Sequence, residues 1–250
     1  MIRRILRPAK KTTTLIRDPA LLRQKREAIA DAAFELFLKE GFHRTTTRAI
    51  ARRAGVSAGA PFTYFKDKED ILFHIVSKEQ DLAEERLVSV LSRQIAEAAR
   101  TDADPEEVFK TILGTFHRAI DEMRRFILLA YQETKSLKTE ARQALIAREK
   151  RIQALLGEAI RYGAERGRFA PDHIALKAHS IMVLAHAWAT RRWAFAGELE
   201  TIEDYLAFLE PTVLAMLEKR SGAREPKTAR RRPVAVGTDA AKEQQEITTK

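Results

Sequence analysis

The chain has 250 residues, with 45 Lys and Arg against 35 Asp and Glu, six His and no cysteine. At this length it can bury one large core or two smaller ones, and without cysteine it has no disulfide, thiolate metal site or thiol nucleophile. The apolar runs fall short of the roughly 20 residues that span a bilayer. Arg3, Arg4, Arg7, Lys10 and Lys11 lead into no apolar secretory core, so no membrane partner and a cytoplasmic location are expected.

The charge is unevenly placed. Residues 1–66 hold 15 basic against 5 acidic side chains, residues 67–220 hold 23 against 26, and residues 221–250 hold 7 against 4. A basic head on a slightly acidic body is the pattern of a polyanion-binding module joined to a second part.

Gly and Pro are scarce and apolar residues recur at helical spacing, which predicts an all-α fold. A first helix is expected from Pro19 to about Glu40, with Ile29, Ala33, Leu36 and Phe37 on one face and Gly41 ending it. Thr45 to Thr47 offer a capping hydroxyl for a short helix over 48–54, and Ser57 can cap a third helix through Phe65. Asp67 caps a long fourth helix with Glu69 and Asp70 in its first turn. Asp104 and Pro105 open the next helix, which carries Phe109, Leu113, Phe116 and Ile120, and a short helix follows over 125–132. A long amphipathic stretch runs over 138–166. Pro171 and Asp172 open a helix expected to reach Phe195, and a last helix carries Pro211, which should kink or split it. Residues 1–18 and 221–250 read as flexible basic arms flanking a head over 19–67 and a body over 68–220.

Residues 47–65 have the layout of a helix-turn-helix. Ala51 lets two short helices approach, Gly55 can take the left-handed backbone of the turn, and Ile50, Ala54 and Val56 supply apolar contact. Phe62 and Phe65 read as core anchors, while Arg52 and Arg53 fit either a solvated face or a DNA contact.

Gly41 to Leu72, reading GFHRTTTRAIARRAGVSAGAPFTYFKDKEDIL, resembles the DNA-binding domain of the TetR family of regulators. The carrying features are Gly55-Val56-Ser57, the Tyr64-Phe65 pair, and Lys68-Glu69. The resemblance implies that Thr45, Thr47 and Arg48 touch phosphate or a base edge, and that Tyr64 and Lys68 hold phosphates. Ser57, Ala58, Gly59, Ala60, Pro61 and Thr63 would then face the major groove of double-stranded DNA. Pro61 departs from the branched aliphatic residue expected there, and in a helix capped by Ser57 it forfeits the first internal hydrogen bond.

Over 172–195, Ile174, Ala178, Ile181, Ala185 and Trp188 lie on one face, with Val183, Ala187 and Trp193 toward another. A helix apolar on two sides suits a homodimer whose paired last helices form a four-helix interface, as in the TetR family, on a palindromic operator. Phe109, Leu113, Phe116, His117, Leu128, Tyr131, Met182 and Trp188 are candidate walls of an effector cavity, alongside Ile127, Gln132, Leu155, Leu156, His186 and Arg192. Arginines 191 and 192 beside tryptophans suit an effector with an anionic head and an apolar tail. The stretches LLAYQETKSL (128–137) and RRWAF (191–195) resemble a TetR subgroup that responds to acyl-coenzyme A. This implies a repressor released from DNA by a small-molecule effector such as acyl-CoA. No catalytic motif, metal site or cofactor is expected, and the rival reading is a sequence-tolerant nucleoid-type DNA-binding protein.

Overall fold

Short polar side chains set most of the helix starts in the computed structural model, which describes residues 18–219. The expected arm over 1–18, apart from Asp18, and the expected tail over 221–250 lie outside those residues. Helix α1 (Pro19–Glu40) begins where Asp18 accepts the Ala20 amide at 2.8 Å, and ends at Gly41, whose φ of +81° favours glycine. In α2 (Thr47–Arg53) the Thr46 hydroxyl accepts the Ala49 amide at 3.1 Å.

Helix α3 is shorter than the sequence predicted. It spans Pro61–Tyr64 with no side-chain cap, and residues 58–60 form turns instead. The cause is proline: it lacks the amide that a helix begun at Ser57 would need at that point, whereas at the first helical position no donor is lost.

Helix α4 (Lys68–Thr101) starts where Asp67 accepts the Asp70 amide at 2.7 Å. Its 34 residues make a rod about 51 Å long. Asp104 caps α5 (Pro105–Glu122) by accepting two amides, each at 3.0 Å. Then come α6 (Arg124–Glu133), a 3-10 turn (Thr134–Ser136) and α7 (Thr139–Glu165).

Helix α8 is also shorter than expected, covering Ile174–Thr190. His173 holds a left-handed φ of +52°, which delays its start, and a separate 3-10 turn (Arg192–Phe195) follows its end. Helix α9 (Ile202–Leu217) opens with a reciprocal Thr201–Asp204 capping box. It runs through Pro211 without the split that is one of the two outcomes expected there. The carbonyl that loses its amide partner there belongs to Ala207, which is exposed and open to water.

Among the described residues there is no strand, and no helix is long and apolar enough to cross a membrane. Helix α1 packs on α2, α3, α4 and α6, while α5 sits inside the body against α4, α7, α8 and α9. Phe109, Ile112, Leu113, Phe116 and Ile120 bury the inner faces of α5. A hydrogen bond from Trp188 Nε1 to Asp121 (2.8 Å) and the stacking of its indole on Tyr205 (5.2 Å between centroids) fix α8 against α5 and α9.

The tightest seat is at Gly163. A Cβ there would lie 2.1 Å from the ring of Phe169, which itself packs edge-on against Phe109 at 5.6 Å. Gly163→Ala is therefore expected to destabilise the body by about 1–3 kcal/mol despite the better helix propensity of alanine, read as a lower thermal-unfolding midpoint.

Candidate nucleic-acid interface and inner cavity

At the head, Gly55 takes a φ of +65° and the Val56 amide returns to the Ala51 carbonyl at 3.0 Å, closing the turn between α2 and α3. Around that turn Arg48, Ser57, Ala58, Gly59 and Thr63 are exposed, as are Arg44, Arg52 and Arg53, while Thr47 and Ala60 are half-buried. Tyr64 is half-buried and packs partly on the core. Exposed hydroxyls, small apolar groups and guanidiniums are the side chains that meet base edges and phosphates.

Three expected contact residues turn inward. Thr45 is 1% exposed and its hydroxyl donates to the Gly41 carbonyl at 2.9 Å, so it ties the turn after α1 rather than meeting phosphate. Pro61 is buried at the first position of α3, a helix that packs on both α1 and α2. The Lys68 ammonium donates to the carbonyls of Phe42 (2.7 Å) and Thr45 (2.9 Å), with His43 at 3.4 Å, and lies 4.3 Å from the centre of the Phe42 ring. Its donors are spent within the fold, so it braces the interface instead of gripping phosphate.

Phe62 moves the other way. It was expected in the core and is 59% exposed, whereas Phe65, four residues after Pro61, is buried. Once Pro61 opens α3, the helical period turns Pro61 and Phe65 inward and Phe62 out. Phe62 joins the candidate interface, suited to thymine methyls.

The body holds a partly open cavity of about 80 Å³, walled by Leu87 of α4, Phe116, Ile120, Met123, Phe126, Ile127, Ala130, Tyr131, Leu145, Arg148, Glu149, Ile152, Met182 and His186. Of the walls expected from sequence, Phe116, Ile127, Tyr131, Met182 and His186 are there. Phe109 and Leu113 lie further along α5 in the close-packed core. Leu128 lines an outer groove. Trp188 belongs to the aromatic stack, and the Arg192 guanidinium lies over it at 4.8 Å while donating to the Glu200 carbonyl at 2.7 Å. The α4 wall was missed, and α7 contributes Leu145, Arg148, Glu149 and Ile152 in place of the expected Leu155 and Leu156, since long amphipathic patterns do not say which turn meets which neighbour.

Burial holds two histidines neutral. His117 accepts no solvent, is tied through Nδ1 to the Leu113 carbonyl at 2.8 Å, and is pushed down to about 4 by desolvation. His186 is likewise lowered to about 4 by desolvation and by the neighbouring His117 and His179. Burial pushes the Glu149 carboxyl up, against the opposing influence of His179. Among the described residues no group of three or more His, Asp and Glu is placed to hold a metal ion.

A short-helix reading head joined by a long rod to a helical body with an internal cavity defines a helix-turn-helix transcriptional regulator. The family model for bacterial regulatory proteins of the tetR family matches residues 29–75, and the tetracyclin repressor-like C-terminal domain matches residues 102–197. The HTH-type transcriptional regulator HbdR of Aromatoleum sp. (strain CIB) is 31% identical over 224 residues, covering 88% of this chain and 94% of that protein. The chain belongs to the tetR family. Two solved structures share its fold. One is AibR in complex with isovaleryl coenzyme A and operator DNA, with TM-score 0.61 and 20% identity over 78% of this chain and 98% of that one. The other is the transcriptional regulator FadR from Bacillus subtilis in complex with stearoyl-CoA, with TM-score 0.52 and 22% identity over 78% of this chain and 99% of that one.

Two outcomes follow. In fluorescence anisotropy across a salt series, Lys68→Met should weaken DNA binding without changing the slope of log affinity against log salt. Arg48→Ala should reduce that slope by about one. In thermal unfolding, stability should be full above pH 6.5 and fall toward pH 4, because there the unfolded chain protonates histidines that the folded one keeps neutral. Each such histidine contributes about 1.4 kcal/mol per pH unit, so His117→Gln should shallow that fall.

Proposed function

We propose that this regulator works as a homodimeric repressor, with residues 19–67 reading a palindromic operator and residues 68–220 binding an effector that releases it. The half-site contacts would come from Thr47, Arg48, Ser57, Ala58, Gly59, Ala60, Phe62, Thr63 and Tyr64. Leu176 and Val183 of α8 and Phe208 of α9 are exposed apolar side chains, on the two helices that the family resemblance pairs into a four-helix dimer interface. A twofold axis there would present two heads to half-sites one or more helical turns apart.

One observation carries the release mechanism. Met123 and Phe126 at the start of α6 line the inner cavity on one side. On the other they line the cleft against Ala30, Asp31, Phe34 and Glu35 of α1. Arg125, between them, pairs with Glu35 at 2.7 Å and lies over Phe34 at 5.3 Å. The same short segment thus forms both the cavity wall and the seat of the head.

At about 80 Å³ the cavity is well below the roughly 300–1,000 Å³ of small-molecule sites. An effector entering it must push walls apart, and α6 and α4 are the walls that touch the head. AibR and FadR hold coenzyme A thioesters of different acyl length, which favours an acyl-CoA as the effector class here.

The test is selection of bound sequences from random duplexes, followed by titration of the selected DNA with the protein and a panel of acyl-CoAs. Saturable retention of one palindrome, lost in Arg48→Ala and reversed by one acyl-CoA, is the expected result. Uniform binding of all duplexes with no response to the panel would reject this reading in favour of sequence-tolerant DNA coating.

A further inference from the structure

Tyr131 and His186 line the inner cavity, and they also line a second, larger groove of about 560 Å³ on the outside of α6 and α8. They are joined to each other by a hydrogen bond of 2.8 Å between the phenol oxygen and Nδ1, with their rings edge to face at 5.5 Å. A hydrogen-bonded pair shared by two adjoining spaces is the partition between them. The pair is held from one side only: the Thr190 hydroxyl donates to the His186 carbonyl at 2.8 Å and fixes that turn of α8, whereas Tyr131 is half exposed.

The two spaces differ in chemistry. Most of the inner walls are apolar, and the charged groups Arg148 and Glu149 on them have opposite sign. The outer groove is lined by Leu128, Gln132, Val183, Ala187, Thr190, Arg191 and Trp193 besides the shared pair. Its charged group is Arg191, which is exposed and has no ion pair among the described residues. Trp193 is 75% exposed. The sequence could not separate the two adjacent arginines. In the fold Arg192 is spent on Trp188 and Glu200, and Arg191 is left facing the groove.

We infer that the effector site is two-chambered, with the apolar end of the ligand in the inner cavity, its anionic end on Arg191 and Trp193 in the outer groove, and Tyr131–His186 as the gate between them. This inference rests on the effector reading above and assigns the orientation of the ligand, its anion-binding residue and its point of entry. Geometry favours this direction. An anion driven inward would meet Arg148 and the half-buried Glu149 carboxyl, whose charges oppose each other, while outward it meets an uncompensated guanidinium that can hold phosphate or carboxylate with two parallel hydrogen bonds. An indole face beside that guanidinium suits a planar or apolar group next to the anion. Val183, Ala187 and Trp193 lie both on the groove and on the face read above as turned toward the dimer partner, so a ligand lying there meets the twofold interface.

The experiment uses the full chain, with straight-chain acyl-CoAs of short, medium and long acyl length, the matching free fatty acids, and free coenzyme A as probes. Binding is read by calorimetry, by tryptophan emission with Trp193→Phe as the reference, and by stopped-flow rates. For the acyl-CoA that binds best, Arg191→Gln should weaken affinity at least tenfold. Binding should change the emission of the wild type and not that of Trp193→Phe. Tyr131→Phe keeps the ring and removes the bond, and should speed both entry and release several-fold.

Thermal unfolding of each variant confirms that it is folded, and Arg191 is at the surface, so its loss does not empty the core. A fatty acid that binds as tightly as its thioester, and equally depends on Arg191, would place a carboxylate rather than a phosphate on that residue and still support the site. Wild-type affinity in Arg191→Gln together with unchanged rates in Tyr131→Phe would overturn the two-chamber site while leaving the effector reading intact. No binding of any probe to the wild type would reject the effector class itself, and this inference with it.

Discussion

One ammonium group ties together the parts that meet where the head joins the body. Lys68 stands at the first position of α4, where the helix dipole disfavours a cation, and the fold resolves the conflict in two ways. Asp67, Glu69 and Asp70 surround it in sequence, and its own hydrogens go to the carbonyls of Phe42 and Thr45 in the turn after α1. Those carbonyls lie beyond the end of α1, where Gly41 has stopped the helical ladder, and in a half-buried setting they need donors. The same ammonium rests on the Phe42 ring, whose own position is fixed by an edge-to-face contact with Phe37 at 5.2 Å. One side chain thus joins the last turn of α1, the loop into α2 and the start of the rod that reaches the cavity.

Around that anchor the connection between head and body is polar at its rim and apolar inside. Glu133 accepts the Phe42 amide at 3.1 Å, Lys138 pairs with Asp67 at 3.2 Å, and Arg125 pairs with Glu35 at 2.7 Å. Inside lie the buried side chains of Ile75 and Phe126. Exposed pairs of this kind add little stability singly, but they define a geometry. Two packed layers that meet through directional bonds have a small number of good arrangements instead of a continuum, which is what a switching element requires.

The sequence made much of this fold readable because helix ends are local events. Asp18 before Pro19, Asp67 before an acidic turn, and Asp104 before Pro105 each announce a helix start in a few residues, and all three helices begin there. Residues whose role depends on direction were harder to read. Phe62 and Pro61 exchange inside and outside once the start of α3 shifts to the proline. Thr45 looks like a free hydroxyl until its neighbour Gly41 presents a carbonyl to it. Lys68 follows the motif in position, yet the fold consumes its donors. Phe109 and Phe116 sit on one face of one helix, and only the neighbours that α7 and α8 bring decide that the second meets a cavity and the first does not.

The resting size of the inner cavity has a consequence for selectivity. At about 80 Å³ the space is well below the roughly 300–1,000 Å³ of small-molecule sites, so a ligand must part the walls to enter. Parting them costs free energy that is nearly the same for every ligand, since the wall residues lose the same contacts each time. What differs is how well each ligand refills the opened space: every cubic ångström left empty costs about 24 cal/mol, and every excess methylene meets a wall that resists overpacking. A space this narrow at rest therefore ranks its ligands by volume, with one best length and a falling response on either side, even though no wall residue recognises length as such.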